Sequence, residues 1–369
     1  MAAGVPTLRE VESLLKDSSN RRSLGVKGCP SDTCLDRTIR MIAPGELLPI
    51  IAKQIRTAHR SKQLPIDPSL GISLVAIDGK VLKTGKTQFH PEAQAQGTNG
   101  EGPPYVLRVL RAMLTSTEIK PQIGQWLVPA ATNEMGAFRP FMESLFQEYG
   151  RTNLIECVTV DAGFTHKEDL EWLNQKGVGF IASLKSNQPK LLEGLQLFLG
   201  SGEAEPPEGW EGVFETVDPG RRVTRYFTRT PKINTWHPEW GFLRGGWRIR
   251  QRVEHGGKVT WEDRYYVTNL PWNRLNAARA VKAVVSHWGI ENCGNWTLDV
   301  HWGEDQGAWI QSETGIEVCA VLRILAYNLI RTLRHRVLRS SARNPLPYRR
   351  LFDLVRMAIL FPIMDDAFT

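Results

Sequence analysis

The sequence predicts an α/β fold in which a mixed β-sheet is flanked by helices, with helical regions at both ends of the chain. Short β-branched runs alternate with segments whose apolar residues recur every three or four positions, which is typical of alternating strands and helices. Two such runs end on an aspartate, Asp78 and Asp161. A tryptophan-rich stretch between residues 188 and 272 interrupts the alternation, and its pattern predicts a β-rich insertion.

Composition limits the class of protein. The chain has 369 residues, of which 41% are hydrophobic and 23% charged, and this balance excludes a disordered or fibrous protein. Its net charge of +7 favours an anionic partner such as nucleic acid. The five scattered cysteines argue against a disulfide framework, and no apolar run is long enough for a membrane helix. We therefore expect a cytoplasmic protein without a membrane partner.

The first elements follow from local patterns. Apolar residues recur at helical spacing after Pro44, so residues 1–68 predict a helical N-terminal region. The apolar run from Ile72 predicts a buried strand that ends at Asp78. A loop rich in Gly, Gln, Pro and Lys is predicted at 83–104. Two strands and a helix are predicted next, at 105–114, 123–129 and 134–149.

A second unit repeats this layout and leads into the rest of the chain. It comprises a strand that ends at Asp161, a helix and a further strand, at 154–160, 165–176 and 178–184. Together with 273–312, residues 69–187 are predicted to form the core, and 188–272 the β-rich insertion. The remaining residues, 313–369, predict a helical, arginine-rich C-terminal region. Continuous helices are expected at 276–300 and 314–339.

Three carboxylates form the candidate site. Asp78 and Asp161 lie at strand ends, where side chains can converge at one edge of a sheet, although such aspartates are also common as turn formers and helix caps. The third is Glu291, which an α-helix would place on one polar stripe with His287 and Asn295. The alternative for Glu291 is an ordinary surface position on an amphipathic helix.

The chemistry of these groups indicates a metal. Three carboxylates without a matching Cys/His set suit Mg²⁺ or Mn²⁺, which prefer oxygen ligands. Two such ions about 3.5–4 Å apart can activate an attacking hydroxyl and stabilise a leaving 3′ oxygen. The expected reaction is therefore an in-line displacement at a nucleic-acid phosphodiester.

Four segments carry a resemblance to a known family. They are Val75-Ala-Ile-Asp78-Gly-Lys80, Val158-Thr-Val-Asp161-Ala, Leu184-Lys185-Ser-Asn187-Gln188 and His287-Trp-Gly-Ile-Glu291-Asn292. In this order they resemble the motifs of DDE transposases of bacterial insertion sequences, in particular the ISAs-type branch. The resemblance implies a ribonuclease-H-like sheet interrupted by a β-rich insertion. It also implies that Asp78, Asp161 and Glu291 are the catalytic, metal-binding triad of an endonuclease associated with the bacterial nucleoid.

Several polar residues near the triad are candidates for contacts to DNA. They are Lys80, Lys185, Asn187, His287 and Asn295. The alternative is that the lysines are merely solvated and that the histidine has a structural role. One tryptophan of the insertion could stack on an unpaired base, although most are expected in the core; the candidates are Trp236, Trp240, Trp247 and Trp261. The C-terminal arginines could form a phosphate-binding surface or only a solvated helix face.

The leading functional hypothesis is a transposase that cleaves and joins double-stranded DNA at element ends, and the resemblance implies a homodimer on that DNA. The alternatives are a ribonuclease-H-like nuclease without strand transfer and an inactive remnant that only binds DNA. The second alternative arises because Val284, Val285 and Ser286 stand where related transposases usually carry an arginine. A small-molecule α/β enzyme is disfavoured because the chain has no glycine-rich phosphate loop and no nucleophile elbow.

Overall fold

A single mixed sheet organises the computed structural model, which describes residues 1–97, 104–306, 309–310, 312–339 and 345–360, apart from the side chains of Trp236 and Leu360. Its ten strands are β1 Leu74–Gly85, β2 Gln94–Ala95, β3 Tyr105–Leu114, β4 Gln122–Leu127, β5 Cys157–Val160, β6 Gly179–Leu184, β7 Gly212–Asp218, β8 Arg221–Thr230, β9 Gly245–His255 and β10 Lys258–Thr268. The strand order is β2-β3-β1-β5-β6-β10-β9-β8-β7, and β4 pairs with β3.

The three central strands are parallel and the others antiparallel. β1 pairs with β5 and β5 with β6 in parallel, while β6 pairs with β10 antiparallel. Parallel strands are buried on both faces, which explains why β1 and β5 read as continuous apolar runs. The predicted α/β class with a mixed sheet flanked by helices is confirmed, and the architecture is ribonuclease-H-like.

Helices lie on both faces of the sheet and at both ends of the chain. They are α1 Leu8–Leu15, α2 Ser18–Ser23, α3 Asp32–Met41, α4 Pro44–Arg60, α5 Glu134–Tyr149, α6 Lys167–Gln175, α7 Pro189–Leu199, α8 Ile233–Trp236, α9 Ala277–His287, α10 Trp296–Trp302, α11 Glu313–Thr332 and α12 Tyr348–Leu360. Helices α5 and α6 cover one face, and α9 covers the other, which we call the α9 face. The helical prediction for the N-terminal residues is confirmed.

Two predicted helices are not continuous. Helix α9 ends at His287, a π-helical turn follows at Ile290–Asn295, and only then does α10 begin. Helix α11 likewise ends in a π-helical turn, at Leu333–Val337. A π turn holds an extra residue, so the predicted α-helical stripe of His287, Glu291 and Asn295 is wrong in its spacing.

The predicted loop at 83–104 is shorter than expected, and its residues 98–103 lie outside the described part of the chain. Strand β1 continues to Gly85 because it pairs with β3 along this length, with Gly85 opposite Tyr105. Strand β2 then adds two residues to the same sheet by pairing with β3. Hydrogen bonds to a distant strand, which the local composition does not reveal, therefore order this segment.

The β-rich segment extends the central sheet. It opens with α7 and contributes β7, β8, β9 and β10, which we call the β-ribbon. Tyr265 pairs with Leu184 of β6, so the ribbon continues the sheet without a break. Phe227 and Ile249 of the ribbon pack against Val281 and other apolar residues of α9. The ribbon and the central strands therefore share one hydrophobic core.

Candidate metal centre

Two neighbouring strands position the first two carboxylates. Residues 74–77 of β1 are buried, and Asp78 is the first residue whose side chain leaves the core on the α9 face. Asp161 directly follows β5, whose Val160 pairs in parallel with Ile77 of β1. The parallel pairing of β1 with β5 ends at Ile77 and Val160, so Asp78 and Asp161 come together just beyond it. The predicted end of the first strand at Asp78 is wrong, because β1 continues to Gly85 through its pairing with β3.

The π turn after α9 positions the third carboxylate. Val284 packs against the ribbon and central strands, and Ile290 packs on Ala76, so both ends of the connection are fixed on the sheet. Glu291, the next residue, points to the strand ends. Oxygen atoms of Asp78, Asp161 and Glu291 all lie within 4.8 Å of one another, and each residue is half-buried.

The electrostatics of the cluster show why it suits a cation. Burial is the largest effect on Asp78 and raises its pKa to about 7. The charge of His287 opposes this increase, and the charges of Glu291 and Asp161 add to it. Burial and then the Asp161 charge raise the pKa of Glu291. A divalent ion with a preference for oxygen ligands would relieve this repulsion and the desolvation cost, so the donor set fits Mg²⁺ or Mn²⁺.

His287 supports Asp161. Its Nδ1 lies 2.9 Å from the hydroxyl of Thr159, and its Nε2 lies 3.4 Å from Oδ1 of Asp161. If the threonine hydroxyl donates to Nδ1, the proton of a neutral imidazole stands on Nε2 and faces the carboxylate. The interaction with His287 is the largest contribution that lowers the pKa of Asp161, with burial acting against it.

A buried network supports Asp78. Asn295 donates from Nδ2 to Oδ2 of Asp78 at 3.2 Å and accepts at Oδ1 from the Arg111 guanidinium at 3.3 Å. Arg111 also donates to both oxygens of Glu304 at 2.7 Å, and to Gln125. Because a guanidinium has only donors, Arg111 forces Asn295 to present its oxygen to the arginine and its NH₂ group to Asp78.

Sequence reasoning missed the roles of Arg111 and Glu304, both of which have fully buried side chains. A signal was present for the arginine, because Arg111 interrupts the apolar run of β3 and a charge in a buried strand requires a partner. The identity of that partner had no local signal, since Glu304 lies 193 residues further along the chain.

The predicted DNA-contacting lysines differ in their surroundings. Lys80 has an 8% exposed side chain and donates to both oxygens of Asp299 at 2.8 and 2.7 Å. Lys185 is exposed, and its charge lowers the pKa of Asp161. Asn187 donates from its amide to the backbone oxygen of Ala162 at 2.6 Å and so holds the loop beside Asp161. Lys185 is therefore available to an incoming phosphate, whereas Lys80 already has an anionic partner.

An unpredicted cleft opens beside Asp161. It is lined by Lys185 after β6, by Arg264 and Tyr266 of β10 and by Trp288 after α9. The guanidinium of Arg264 lies 4.9 Å from the centre of the Trp288 ring. The ribbon thus contributes directly to the wall of the metal centre, next to the carboxylates.

The tryptophans of the predicted insertion include both buried and exposed side chains. Trp240 and Trp247 are 4% and 3% exposed and belong to the core, whereas Trp261 is 48% exposed and Trp272 42%. A base could therefore stack only on the exposed rings among those four. Trp236 was also a candidate, but its side chain lies outside the described part of the chain.

The C-terminal arginines include several with structural roles. Arg331 donates to the backbone oxygens of Ile119 and Glu118, and Arg336 donates to that of Gln63. For Arg331 and Arg336 the expectation of a phosphate-binding surface is wrong, because their donors satisfy backbone carbonyls of the N-terminal half. Among the described residues, no helix combines the length and the apolar character needed to cross a bilayer.

Fold and site together define the class of this protein: a ribonuclease-H-like domain with an Asp/Asp/Glu cluster at the end of its parallel strands. Residues 69–329 match the family model described as "Transposase DDE domain", and the chain belongs to this family. The match covers all three carboxylates, which agrees with their position in the fold.

Similar individual proteins include one that is named as a putative transposase. The chain is 22% identical over 310 residues to the Escherichia coli protein named "H repeat-associated putative transposase YhhI", covering 82% of this chain and 74% of the relative. It has the same identity and coverage to the E. coli "Putative protein YbfL". It is 27% identical over 197 residues to an uncharacterized protein in the dhlA 3′ region of Xanthobacter autotrophicus, covering 53% of this chain and 59% of that relative.

Proposed function

We propose that this protein cleaves double-stranded DNA at the ends of an insertion sequence and transfers the freed 3′ ends to target DNA, using two Mg²⁺ or Mn²⁺ ions. The observation that carries the proposal is the convergence of Asp78, Asp161 and Glu291 within 4.8 Å in a chain of the DDE transposase family. Bound between these carboxylates, the ions would activate the attacking hydroxyl and stabilise the leaving 3′ oxygen.

The remaining residues of the centre hold these ligands and the substrate in place. His287 keeps Asp161 ionised and oriented, and Asn295 orients one oxygen of Asp78. Lys185, exposed beside Asp161, binds a phosphate next to the reacting one, and Asn187 fixes the loop that carries it. Lys80 acts on the substrate only indirectly, through its ion pair with Asp299.

Cleavage of DNA that carries the element ends tests the proposal. We expect nicking in Mg²⁺ or Mn²⁺, none in EDTA, and loss of activity in Asp161→Asn and Glu291→Gln. Cleavage by these variants at the wild-type rate would contradict a catalytic role of the three carboxylates. DNA joined to a second duplex distinguishes a transposase from a nuclease that only cuts, and binding without cleavage would identify an inactive remnant.

The assembly is also part of the proposal: two copies act together and bridge two element ends, as the family resemblance implies. Sedimentation of the protein with duplex DNA measures this directly. A complex that contains one protein copy for each pair of ends would contradict it.

A further inference from the structure

The β-ribbon projects beyond the metal centre. Strand β10 pairs with β6 only at residues 265–268, whereas residues 258–264 pair with β9 alone and extend past the end of β6. At about 3.3 Å per residue, this free part reaches roughly 20 Å beyond the level of Lys185. The ends of these strands are exposed at residues 215–222 and 255–262, so the outer part of the ribbon is available to a partner.

The register of the ribbon places arginines on this outer surface. Side chains directly opposite each other in a sheet point to the same face, and along one strand the faces alternate. Tyr266 packs against α9, so Arg264, two residues earlier on β10, shares its face. Arg264 lies opposite Ile249, and two residues further along β9 Gln251 lies opposite Arg225.

Arg221 completes this set, because it lies four residues before Arg225 on the same strand. We call Arg264, Arg225 and Arg221 the arginine row. It begins at the cleft beside Asp161, where Arg264 lines the wall, and runs outward across the ribbon.

The charges of the row act on one another and on the centre. Burial, and then repulsion from Arg221 and Arg264, lower the pKa of the Arg225 guanidinium. The charge of Arg264 also contributes to the lowered pKa of Asp161. Three neighbouring guanidinium groups concentrate positive potential along this line, which attracts a polyanion.

Carboxylates compensate the row only in part. Arg264 donates to Glu262 at 2.8 Å, but Arg225 donates to the neutral acceptors Gln251 and Thr216, at 3.0 and 3.2 Å. Asp218 lies directly opposite Arg221 in the register, and its charge acts on Arg225. Among the described residues, however, no ion pair within 4.0 Å joins a carboxylate to Arg225 or Arg221. On the opposite face of the same ribbon the pattern differs, because Arg222 pairs with Glu215 at 3.6 Å and Arg252 pairs with Glu254.

We propose that the arginine row binds the phosphate backbone of duplex DNA where it leaves the metal centre. At 3.4 Å per base pair, a 20 Å surface accommodates roughly six base pairs beside the cleavage position. Arginine suits this task because its planar guanidinium donates two hydrogen bonds to one phosphate. The inference rests on the proposed function, since it takes the substrate of the metal centre to be double-stranded DNA.

The test compares matched double variants of the full-length protein. Arg221→Gln with Arg225→Gln removes two charges from the row, and Arg222→Gln with Arg252→Gln removes two from the opposite face of the same strands. Affinity for a duplex that carries an element end is measured in EDTA over a range of salt concentrations. For the row variant, we expect the slope of log affinity against log salt to fall by about 1.8, and affinity at physiological salt to fall about 10-fold or more. The opposite-face variant should keep the wild-type slope.

A third variant, Arg225→Lys, separates the effect of losing a positive charge from the effect of disturbing the local structure. It keeps the cation, so it should retain most of the salt slope even if the hydrogen bonds to Gln251 and Thr216 weaken. Equal slopes in the two double variants would contradict DNA binding by the arginine row. That result would leave the proposed cleavage of DNA by the wild-type protein unaffected. Failure of the wild-type protein to bind the duplex at all would overturn both this inference and the proposed function.

Discussion

At the scale of single residues, Asp78 and Asp161 each directly follow the last residue of the parallel β1–β5 pairing but have opposite pKa shifts. The imidazole of His287 faces Asp161, so its carboxyl group stays ionised, whereas Asp78 faces an amide and two other acids in a more buried position. One carboxylate is therefore prepared for a cation before the cation arrives, and the other loses a proton when it binds. The network around Asp78 determines how readily that happens.

The amide of Asn295 gives the first prediction. Asn295→Asp removes the donor to Asp78 and places another carboxylate beside it, so the metal concentration for half-maximal cleavage should rise about 10- to 100-fold. Asn292→Asp in the same π turn is the control, because Asn292 is exposed. A titration with Mn²⁺ measures both, and equal metal requirements in the two variants would show that Asn295 does not orient Asp78.

The raised pKa of Asp78 gives a second prediction, on stability. The unfolded carboxyl group ionises near pH 3.8 and the folded one near 7, so the folded state loses stability as pH rises through this interval. Asp78→Asn should therefore increase the free energy of unfolding in EDTA by about 4 kcal/mol near pH 8 and by less than about 1 kcal/mol near pH 4. Thermal denaturation at both pH values checks this, and the same difference at both would exclude ionisation as the cause.

At the scale of elements, the sequence revealed those whose signals are local. Helix α5 begins and ends as predicted, because Asn133 caps it and apolar residues recur along it. The π turn at Ile290–Asn295 had no such signal. Ile290 and Leu298 both face inward, and the extra residue between them depends on how they pack against Ala76 and Met113 of distant strands.

Contacts between residues that are far apart in the sequence were also not predicted. Lys80 looked like a phosphate ligand because its partner Asp299 lies 219 residues away on α10. The pairing of the predicted β-rich insertion with β6 was not predicted, because it joins residues about 80 positions apart. The three carboxylates of the metal centre could be predicted from the sequence. The contacts that support them could not, because they join residues that only the folded chain brings together.

The ion pair that joins β3 to the segment after α10 gives a third prediction. Glu304→Gln leaves Arg111 with an uncompensated charge at a fully buried site and should lower the free energy of unfolding by about 3 kcal/mol. Asp305→Asn, at the exposed neighbouring position, should change it by less than about 0.5 kcal/mol. Denaturant unfolding of the two variants measures the difference, and similar values would show that the buried pair contributes little.

At the scale of the whole molecule, repulsion between the three carboxylates of the metal centre lowers the stability of the fold when no metal is bound. Two of these carboxylates follow the central strands and the third lies in the π turn after α9, so their repulsion acts between the sheet and this helical segment. A cation that binds them should therefore stabilise the entire chain, because ligand binding to the folded state is linked to unfolding.

Metal removal tests this as a fourth prediction. At a Mg²⁺ concentration about 100 times its dissociation constant, the folded state gains about 2.7 kcal/mol, so the melting temperature should exceed that in EDTA by several degrees. Glu291→Gln should lose most of this shift, whereas an exposed substitution such as Asn292→Asp should keep it. An equal shift in all three proteins would mean that the ion stabilises the fold from another position.

The position of the π turn after the β-ribbon has a consequence for synthesis of the protein. Asp78 and Asp161 emerge early from the ribosome, but Glu291 follows only when about four-fifths of the chain has been made. The acidic centre therefore stays incomplete while every strand of the sheet is already translated. Products of translation that stop before this turn lack Glu291, and under the proposed function we expect that they cannot cleave DNA.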